Sequence, residues 1–253
     1  MTGGVENYRQ VLQMLHDIPA QLKLVIAGNH DLDLDAAWCR SHPDKVSPAQ
    51  HEEALQAMKG EWAREAGVVY LEEGIHSFSL VGGAKFTVYA SPWQPAFCGW
   101  AFNYPRNHDR FNTPQQAAPG VFSAAENPIP NFGAVDIVMT HGPPKGILDP
   151  TQHGNDGCDN ILRAVSRARP RLHCFGHIHE GYGSAVVKWK DDTNNLGPNA
   201  ISDKTYQGNS YPEPVRAPNN FGKETMFVNA SVMNVDYSPA NPPWIIDLAL
   251  PTA

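Results

Sequence analysis

Three short runs of apolar, strand-forming residues in this chain each end in a polar segment that contains histidine and is broken by glycine or proline. The runs occupy residues 22–27, 135–140 and 172–175, and the segments after them carry Asn29-His30-Asp31, His141, and the pair His177 and His179. Ligands of open α/β sheets bind at the carboxyl ends of the strands. We therefore expect these polar side chains to converge on one edge of a sheet.

Amphipathic patterns between the strands predict helices, and hence an α/β fold. Residues 5–17 place apolar side chains on one helical face. Ser47 and Gln50 form a capping box ahead of a second helix. A third helix follows residue 155, with Asp156 or Asp159 as its cap.

The remaining connections predict one hairpin and three long loops. Gly82-Gly83 separates two alternating runs, which is a hairpin signal, so antiparallel strands join the sheet. Residues 32–46 and 90–131 lack periodicity and are interpreted as loops. Residues 184–225 are polar and rich in Asn, Pro and Gly, which favours a loop insertion, with a strand over 185–189 left open.

Length and charge limit the classes of partner. A chain of 253 residues suits one domain over 1–253. Its 19 Lys and Arg against 26 Asp and Glu give a formal charge of −7, and no basic run is present, so we expect no binding to a nucleic-acid backbone. A small substrate is the expected partner, while the oligomeric state stays open.

The cysteine pattern and the hydropathy indicate a compartment. The four cysteines show no C-x-x-C spacing, and no charged-then-apolar leader opens the sequence. No apolar run approaches the roughly 20 residues that span a bilayer. We expect a soluble cytoplasmic protein with reduced thiols and no membrane partner.

The pair His177 and His179 is the most informative motif. On a helix, side chains two positions apart point to nearly opposite sides, whereas on an extended chain they project to the same side about 6–7 Å apart. That separation can serve two metal ions about 3.5–4 Å apart. The alternative is a pair of surface or hydrogen-bonded histidines.

The donor types at the three strand ends indicate an open, catalytic metal site. Imidazole, amide and carboxylate groups suit divalent manganese, iron or zinc, and no thiolate lies among them to indicate a closed structural zinc site. Two adjacent metals would hold phosphate oxygens and lower the pKa of a bridging water. Phosphoester hydrolysis is the natural use of such a site.

The motifs themselves resemble a known superfamily. The segments G-N-H-D at 28–31, T-H-G-P-P at 140–144 and G-H-I-H at 176–179 are similar to the last three signature segments of calcineurin-like metallophosphoesterases. S-P-W at 91–93 and V-N-A-S at 228–231 further resemble the brain-type metallophosphodiesterase family. The resemblance implies a four-layer αββα sandwich of two mixed β-sheets flanked by helices, with a dinuclear site at the strand ends.

The resemblance also implies roles for individual residues. Asn29, His141 and His177 would bind the second metal, and His179 would bind the first. The residue-level alternatives are a turn-forming role for Asn29 and a place in the core for His141.

A catalytic pair is implied beside these ligands. His30 would donate a hydrogen bond or proton toward the phosphate and the leaving-group oxygen, with Asp31 orienting its ring. The alternatives are a satisfied loop histidine for His30 and a helix cap for Asp31.

The sequence departs from the family pattern at its start. That pattern begins with D-x-H and then G-D, whose aspartate bridges both metals, and neither segment is present. Met1–Gly4 resembles the segment just after the bridging aspartate, which implies an N-terminally truncated domain whose first metal retains only His179.

Two classes of function therefore stay open. One is a metal-dependent enzyme that hydrolyses phosphoesters, most of all phosphodiesters. The other is a catalytically weak remnant of the fold that acts as a binding protein. The number of bound metals, two in the family and one as the alternative here, and the identity of the substrate are left open too.

Overall fold

The computed structural model describes residues 3–252 and divides into two compact units. Unit 1 joins the residues up to Glu72 with Ser91–Pro105, and unit 2 joins Glu73–Ala90 with the residues from Arg106 onward. Met1 and Thr2, which belong to the opening segment discussed above, lie outside the described residues. A single domain over 1–253 stays a prediction.

Helices and strands alternate along the chain. The helices are α1 Val5–His16, α2 Ala36–Ser41, α3 Pro48–Lys59, α4 Glu61–Glu65 and α5 Asp159–Ala168. The principal strands are β1 Lys23–Val25, β2 Val68–Tyr70, β3 Gly74–Ser79, β4 Lys85–Ser91, β5 Ile137–Thr140, β6 Leu172–Phe175, β7 Gly183–Trp189, β8 Ile201–Gln207 and β9 Glu224–Asn229. Two-residue strands and single 3₁₀ turns occupy parts of the connections.

Unit 1 packs helices α1 to α4 with a two-stranded parallel sheet. The apolar face of α1 buries Tyr8 and Leu12, as its spacing predicts. Strands β1 and β2 pair in parallel, with Lys23 opposite Val68. The same core takes in Ala101 and Phe102, so both stretches of unit 1 contribute to it.

Local signals place the helices of unit 1 with mixed success. The capping box is confirmed, because Ser47 Oγ accepts from the Gln50 amide at 3.3 Å and Gln50 Oε1 accepts from the Ser47 amide at 2.9 Å. The loop expected over residues 32–46 is wrong, since it contains α2. Asp35 caps that helix, and its Oδ1 accepts from the amides of Ala37 and Trp38 at 2.8 and 3.1 Å.

Unit 2 is built on a mixed sheet of seven strands in the order β8-β7-β9-β6-β5-β4-β3. Strand β6 lies parallel to both β5 and β9, whereas β7 runs antiparallel to β8 and to β9. This mixed sheet with its helices confirms the predicted α/β class. The hairpin at Gly82-Gly83 is also confirmed, with β3 and β4 paired from Gly74 opposite Ala90 to Ser79 opposite Lys85.

Two other expectations in unit 2 are wrong. The strand left open over 185–189 is present within β7, but the rest of residues 184–225 is not only a loop insertion, because it also supplies β8 to the main sheet. Helix α5 is capped by neither Asp156 nor Asp159. Its N-cap is Cys158, whose Sγ accepts from the Ile161 amide at 3.4 Å. Within residues 3–252, no helix is both long and apolar enough to cross a membrane.

Candidate functional site

A tight turn after β1 carries the first group of candidate residues, in unit 1. The Asp31 amide donates to the Gly28 carbonyl at 3.1 Å, and the Gly28 amide donates to Asp31 Oδ2 at 2.7 Å. These two bonds close the turn from both sides. Asn29 is buried within it and His30 is exposed.

The Asp31 carboxylate therefore has a defined structural partner. Burial raises its pKa above the ordinary value, the Gly28 amide opposes that shift, and the Asp33 charge adds to it. Asp31 precedes the 3₁₀ turn Leu32–Leu34, but its side chain makes no capping hydrogen bond there. Helix capping is thus excluded as the role of this side chain, and orientation of His30 by Asp31 stays a prediction.

The His30 imidazole packs against an aromatic residue of unit 1. The ring centroids of His30 and Trp100 are 4.5 Å apart, with an angle of 37° between the planes. Trp100 lies in the segment Ser91–Pro105, and the following amide, that of Ala101, donates to the Asn29 carbonyl at 3.2 Å. The turn that bears Asn29 and His30 is therefore fastened to this segment.

Unit 2 brings two predicted ligands together. His141 directly follows β5, and His177 lies two residues beyond β6, the parallel neighbour of β5. Nε2 of His141 and Nδ1 of His177 are 3.2 Å apart, and the ring planes are inclined at 56°. A bond from the Gly176 amide to the His141 carbonyl, 3.0 Å long, ties the two strand ends together.

The local conformation of the histidine pair differs from the extended chain that its spacing predicts. His177 has a left-handed backbone with φ of 70°, and His179 begins the 3₁₀ turn His179–Gly181. The two side chains consequently do not project from one strand. The expectation fails because β6 ends at Phe175, before either histidine.

His179 is held by the loop that follows β9. Its Nδ1 lies 3.2 Å from the carbonyl oxygen of Asn234, and its ring forms a T-shaped contact with Tyr237, with centroids 5.2 Å apart. A carbonyl only accepts hydrogen bonds, so the neutral ring carries its proton on Nδ1. Metal-binding histidines are commonly oriented in this way, with the other nitrogen left as the donor to the metal.

Asn229 is a supporting residue that sequence reasoning missed. This buried amide, at the end of β9, donates to the carbonyls of Leu148 and Ile178 at 3.0 and 2.8 Å. It thereby fixes the backbone between His177 and His179. The available signal was the motif V-N-A-S, which sets a polar residue directly after a buried apolar run.

His173, in the middle of β6, belongs to the core. Its Nε2 lies 2.8 Å from Thr140 Oγ1, which donates its own proton to the Gly142 carbonyl at 2.7 Å. The imidazole must therefore donate through Nε2, and its buried Nδ1 has no hydrogen-bond partner. Complete burial lowers the pKa of His173 from 6.5 to about 3, so the ring is neutral.

The donor set of unit 2 fits a divalent metal. Two nitrogens bound to one tetrahedral ion at 2.0–2.1 Å are about 3.3–3.4 Å apart, close to the 3.2 Å between the facing nitrogens of His141 and His177. The tautomer of His179 leaves its Nε2 as a further nitrogen donor. Among residues 3–252, no three His, Cys, Asp or Glu side chains already stand in a metal-binding cluster. A single site that includes all four predicted ligands stays a prediction.

The chain matches a model of a known protein family. Residues 2–181 match the model described as calcineurin-like phosphoesterase, which covers all three strand-end segments. The chain belongs to the calcineurin-like phosphoesterase family. The family is one of hydrolases of the phosphoesterase kind that use divalent metal ions.

Curated relatives of this chain come from animals and a fungus. Metallophosphoesterase domain-containing protein 1 of Homo sapiens is 33% identical over 252 residues, covering 94% of this chain and 59% of its own length. A UPF0046 protein of Caenorhabditis elegans is 31% identical over 194 residues, covering 71% of this chain and 42% of its own. A probable rhamnogalacturonate lyase C of Emericella nidulans is 31% identical over 190 residues, covering 74% and 15%. The chain thus spans less than two thirds of the length of each of these relatives.

Proposed function

We propose that this chain hydrolyses phosphoesters, most of all phosphodiesters, in a metal-dependent reaction. The observation that carries the proposal is the pair of imidazole nitrogens of His141 and His177, which face each other at 3.2 Å beyond two parallel strands. The family match covers both residues. Facing nitrogen donors at a sheet edge suit the binding of a metal that acts on a phosphate.

Four side chains would hold the metal. His141 would bind through Nε2 and His177 through Nδ1, with His179 and Asn29 as the further ligands. Manganese, iron or zinc suits this set of nitrogen and amide-oxygen donors. When bound, the metal supplies Lewis-acid polarisation of the phosphate and activation of a water molecule.

His30 would act as the general acid. As the oxygen of hydroxide forms its bond to phosphorus, the bond from phosphorus to the leaving-group oxygen breaks, and that oxygen keeps the bonding electrons. The imidazolium of His30 transfers its proton to this oxygen and becomes neutral. Such a positioned acid contributes about 10²- to 10⁴-fold to the rate, and the exposure of His30 leaves its ring accessible to a substrate.

The partner of this activity would be a small phosphoester. The formal charge of −7 supports this choice over a nucleic-acid backbone, because a polyanion would be repelled. We also propose a cytoplasmic location without a membrane partner, supported by the composition of the sequence.

The test is metal content together with turnover. The purified chain is loaded with manganese, its metal is counted by inductively coupled plasma mass spectrometry, and release of p-nitrophenolate from bis-p-nitrophenyl phosphate is followed. We expect about one metal or more per chain, as befits an open metal-hydrolase site. His141→Ala should lose both metal and turnover.

The matched control is His153→Ala, which removes an exposed histidine of unit 2 that lies in the short turn after Pro150–Thr151. It should retain both properties. A folded chain that takes up no metal and turns over no substrate would overturn the proposal. The alternative, a binding protein that keeps the fold without hydrolysis, would then stand.

A further inference from the structure

The indole of Trp100 is the aromatic surface against which the exposed His30 ring rests, with centroids 4.5 Å apart and planes inclined at 37°. Other aromatics of the same segment serve a different purpose. Phe102 and Tyr104 are buried and anchor the segment, whereas Trp100 is only half-buried. Trp100 therefore differs in exposure from the aromatics that anchor the segment.

The backbone on both sides of Trp100 is hydrogen-bonded to residues 29–38, the stretch of chain that includes His30. On one side, the Gly99 carbonyl accepts from Trp38 Nε1 at 3.0 Å. On the other side, the Ala101 amide donates to the Asn29 carbonyl at 3.2 Å.

A third bond lies one residue farther along. The Phe102 amide donates to Asp35 Oδ2 at 2.7 Å, and the same carboxylate caps α2. The backbone that carries Trp100 is therefore held by three hydrogen bonds of its neighbours, none of which involves His30. The indole thus projects from a hydrogen-bonded stretch of backbone and packs against the imidazole of His30.

An aromatic neighbour restricts the orientation of an exposed imidazole such as that of His30. An exposed side chain exchanges among several rotamers, and selecting one costs conformational entropy. Contact between two rings favours one orientation over the others. A proton donor that is misplaced by about 1 Å loses much of its effect on rate.

We propose that Trp100 is a positioning residue that holds the His30 ring in the orientation for proton donation to the leaving-group oxygen. This inference rests on the proposed function, because it assigns Trp100 to the acid step of that reaction. Trp100 acts through His30 and is distinct from the predicted metal ligands. Its loss should therefore leave metal uptake unchanged.

The test compares two diesters that differ in leaving group. Bis-p-nitrophenyl phosphate releases p-nitrophenolate, which needs little help from an acid, whereas diphenyl phosphate releases phenolate, which needs a proton. In the manganese-loaded full chain, Trp100→Ala should lower kcat for diphenyl phosphate about two- to tenfold, the equilibrium equivalent of one aromatic pair. Its kcat for bis-p-nitrophenyl phosphate and both KM values should change little.

Three further variants test whether Trp100 acts through its ring contact with His30. Trp100→Phe should restore most of the lost rate, because it restores a flat ring. In the His30→Ala background, Trp100→Ala should cost nothing more, since coupled residues are not additive. Phe97→Ala removes a neighbouring exposed aromatic and should behave as the wild type.

A readout without turnover accompanies the kinetics. In the nuclear magnetic resonance spectrum of the full chain, the His30 ring protons should show a ring-current shift that disappears in Trp100→Ala. An unshifted His30 signal would show that the two rings do not pack together in solution and would overturn the inference.

The kinetics separate the two proposals. Equal losses for both diesters, or full additivity with His30→Ala, would overturn the inference alone while the enzyme stays active. A wild-type chain that turns over neither diester overturns the proposed function and this inference with it.

Discussion

Nε2 of His141 and Nδ1 of His177, 36 positions apart in the sequence, lie 3.2 Å from each other. Pairing of β5 with β6 in parallel brings them together, since both strands end at the same edge of the sheet. The convergence predicted from three separate strand-end motifs thus holds for these two side chains.

The left-handed backbone of His177, with φ of 70°, predicts a substitution that lowers metal uptake without lowering stability. A side chain in this conformation costs about 1–2 kcal/mol, which glycine avoids. His177→Gly should therefore leave the free energy of unfolding of the metal-free chain unchanged or raise it by up to about 1 kcal/mol. Metal uptake should fall sharply. Urea unfolding and metal counting measure the two effects.

His173→Gly is the contrasting variant. His173 is fully buried in β6, so its loss should lower the free energy of unfolding by about 3 kcal/mol while the folded fraction keeps its metal. Equal loss of metal in both glycine variants would contradict the assignment of His177.

The neutral, buried His173 also predicts a pH dependence of stability. Its pKa is lowered from 6.5 to about 3 in the folded chain, so between these values the unfolded chain binds the extra proton and stability falls as pH falls. From pH 7 to pH 5 this group should remove about 2 kcal/mol.

Replacement of His173 isolates that contribution. In His173→Leu, the loss of stability between pH 7 and pH 5 should be smaller by the same about 2 kcal/mol. Guanidinium unfolding of both proteins at the two pH values measures it. An identical pH dependence would show that this imidazole does not resist protonation.

Replacement of Asp35, which is not a predicted metal ligand, should lower the stability of the chain strongly. Its carboxylate accepts from the amides of Ala37, Trp38 and Phe102 at 2.7–3.1 Å. Asp35→Ala leaves these donors without that partner and should cost about 3 kcal/mol in urea unfolding. Asp44→Ala, at an exposed aspartate nearby, should stay within about 0.5 kcal/mol of the wild type.

Gly181 predicts a steric limit next to the histidine pair. A methyl group there would lie 2.0 Å from the carbonyl oxygen of Leu148 and 2.8 Å from the side-chain amide of Asn229. Because the first of these is backbone, Gly181→Ala should destabilise the chain by about 3 kcal/mol or prevent its folding. Gly82→Ala, with nothing within 4 Å of the added methyl, is the matched control and should fold normally.

Local patterns in the sequence carried much of the fold. The helix α1, the capping box of α3 and the hairpin at Gly82-Gly83 follow from periodicity and turn chemistry, which act over a few residues. Helix α2 was missed because its six residues are too few to show a helical period, and its cap, Asp35, also bonds to Phe102. Such a partner, 67 positions away, is invisible to a local pattern.

The candidate site shows the same division. Motif spacing located His141 and His177, since each follows an apolar strand. It gave the wrong conformation for the pair His177 and His179, because β6 ends at Phe175 and the backbone beyond it is bonded to a distant residue, Asn229, whose side-chain amide donates to the Ile178 carbonyl. The contact of Trp100 with His30 joins two segments 70 positions apart, and no periodicity reports it.

The discontinuity of unit 1 bears on how the chain folds as it leaves the ribosome. The residues up to Glu72 emerge first, but the core they form also requires Ala101 and Phe102, which arrive later. Until Ser91–Pro105 is synthesised, α1 to α4 expose part of an unfinished core, the state in which chaperones bind and chains aggregate. During synthesis, unit 1, which carries His30, therefore cannot complete its core until residues 91–105 have emerged. Slow translation before residue 91 would lengthen this delay.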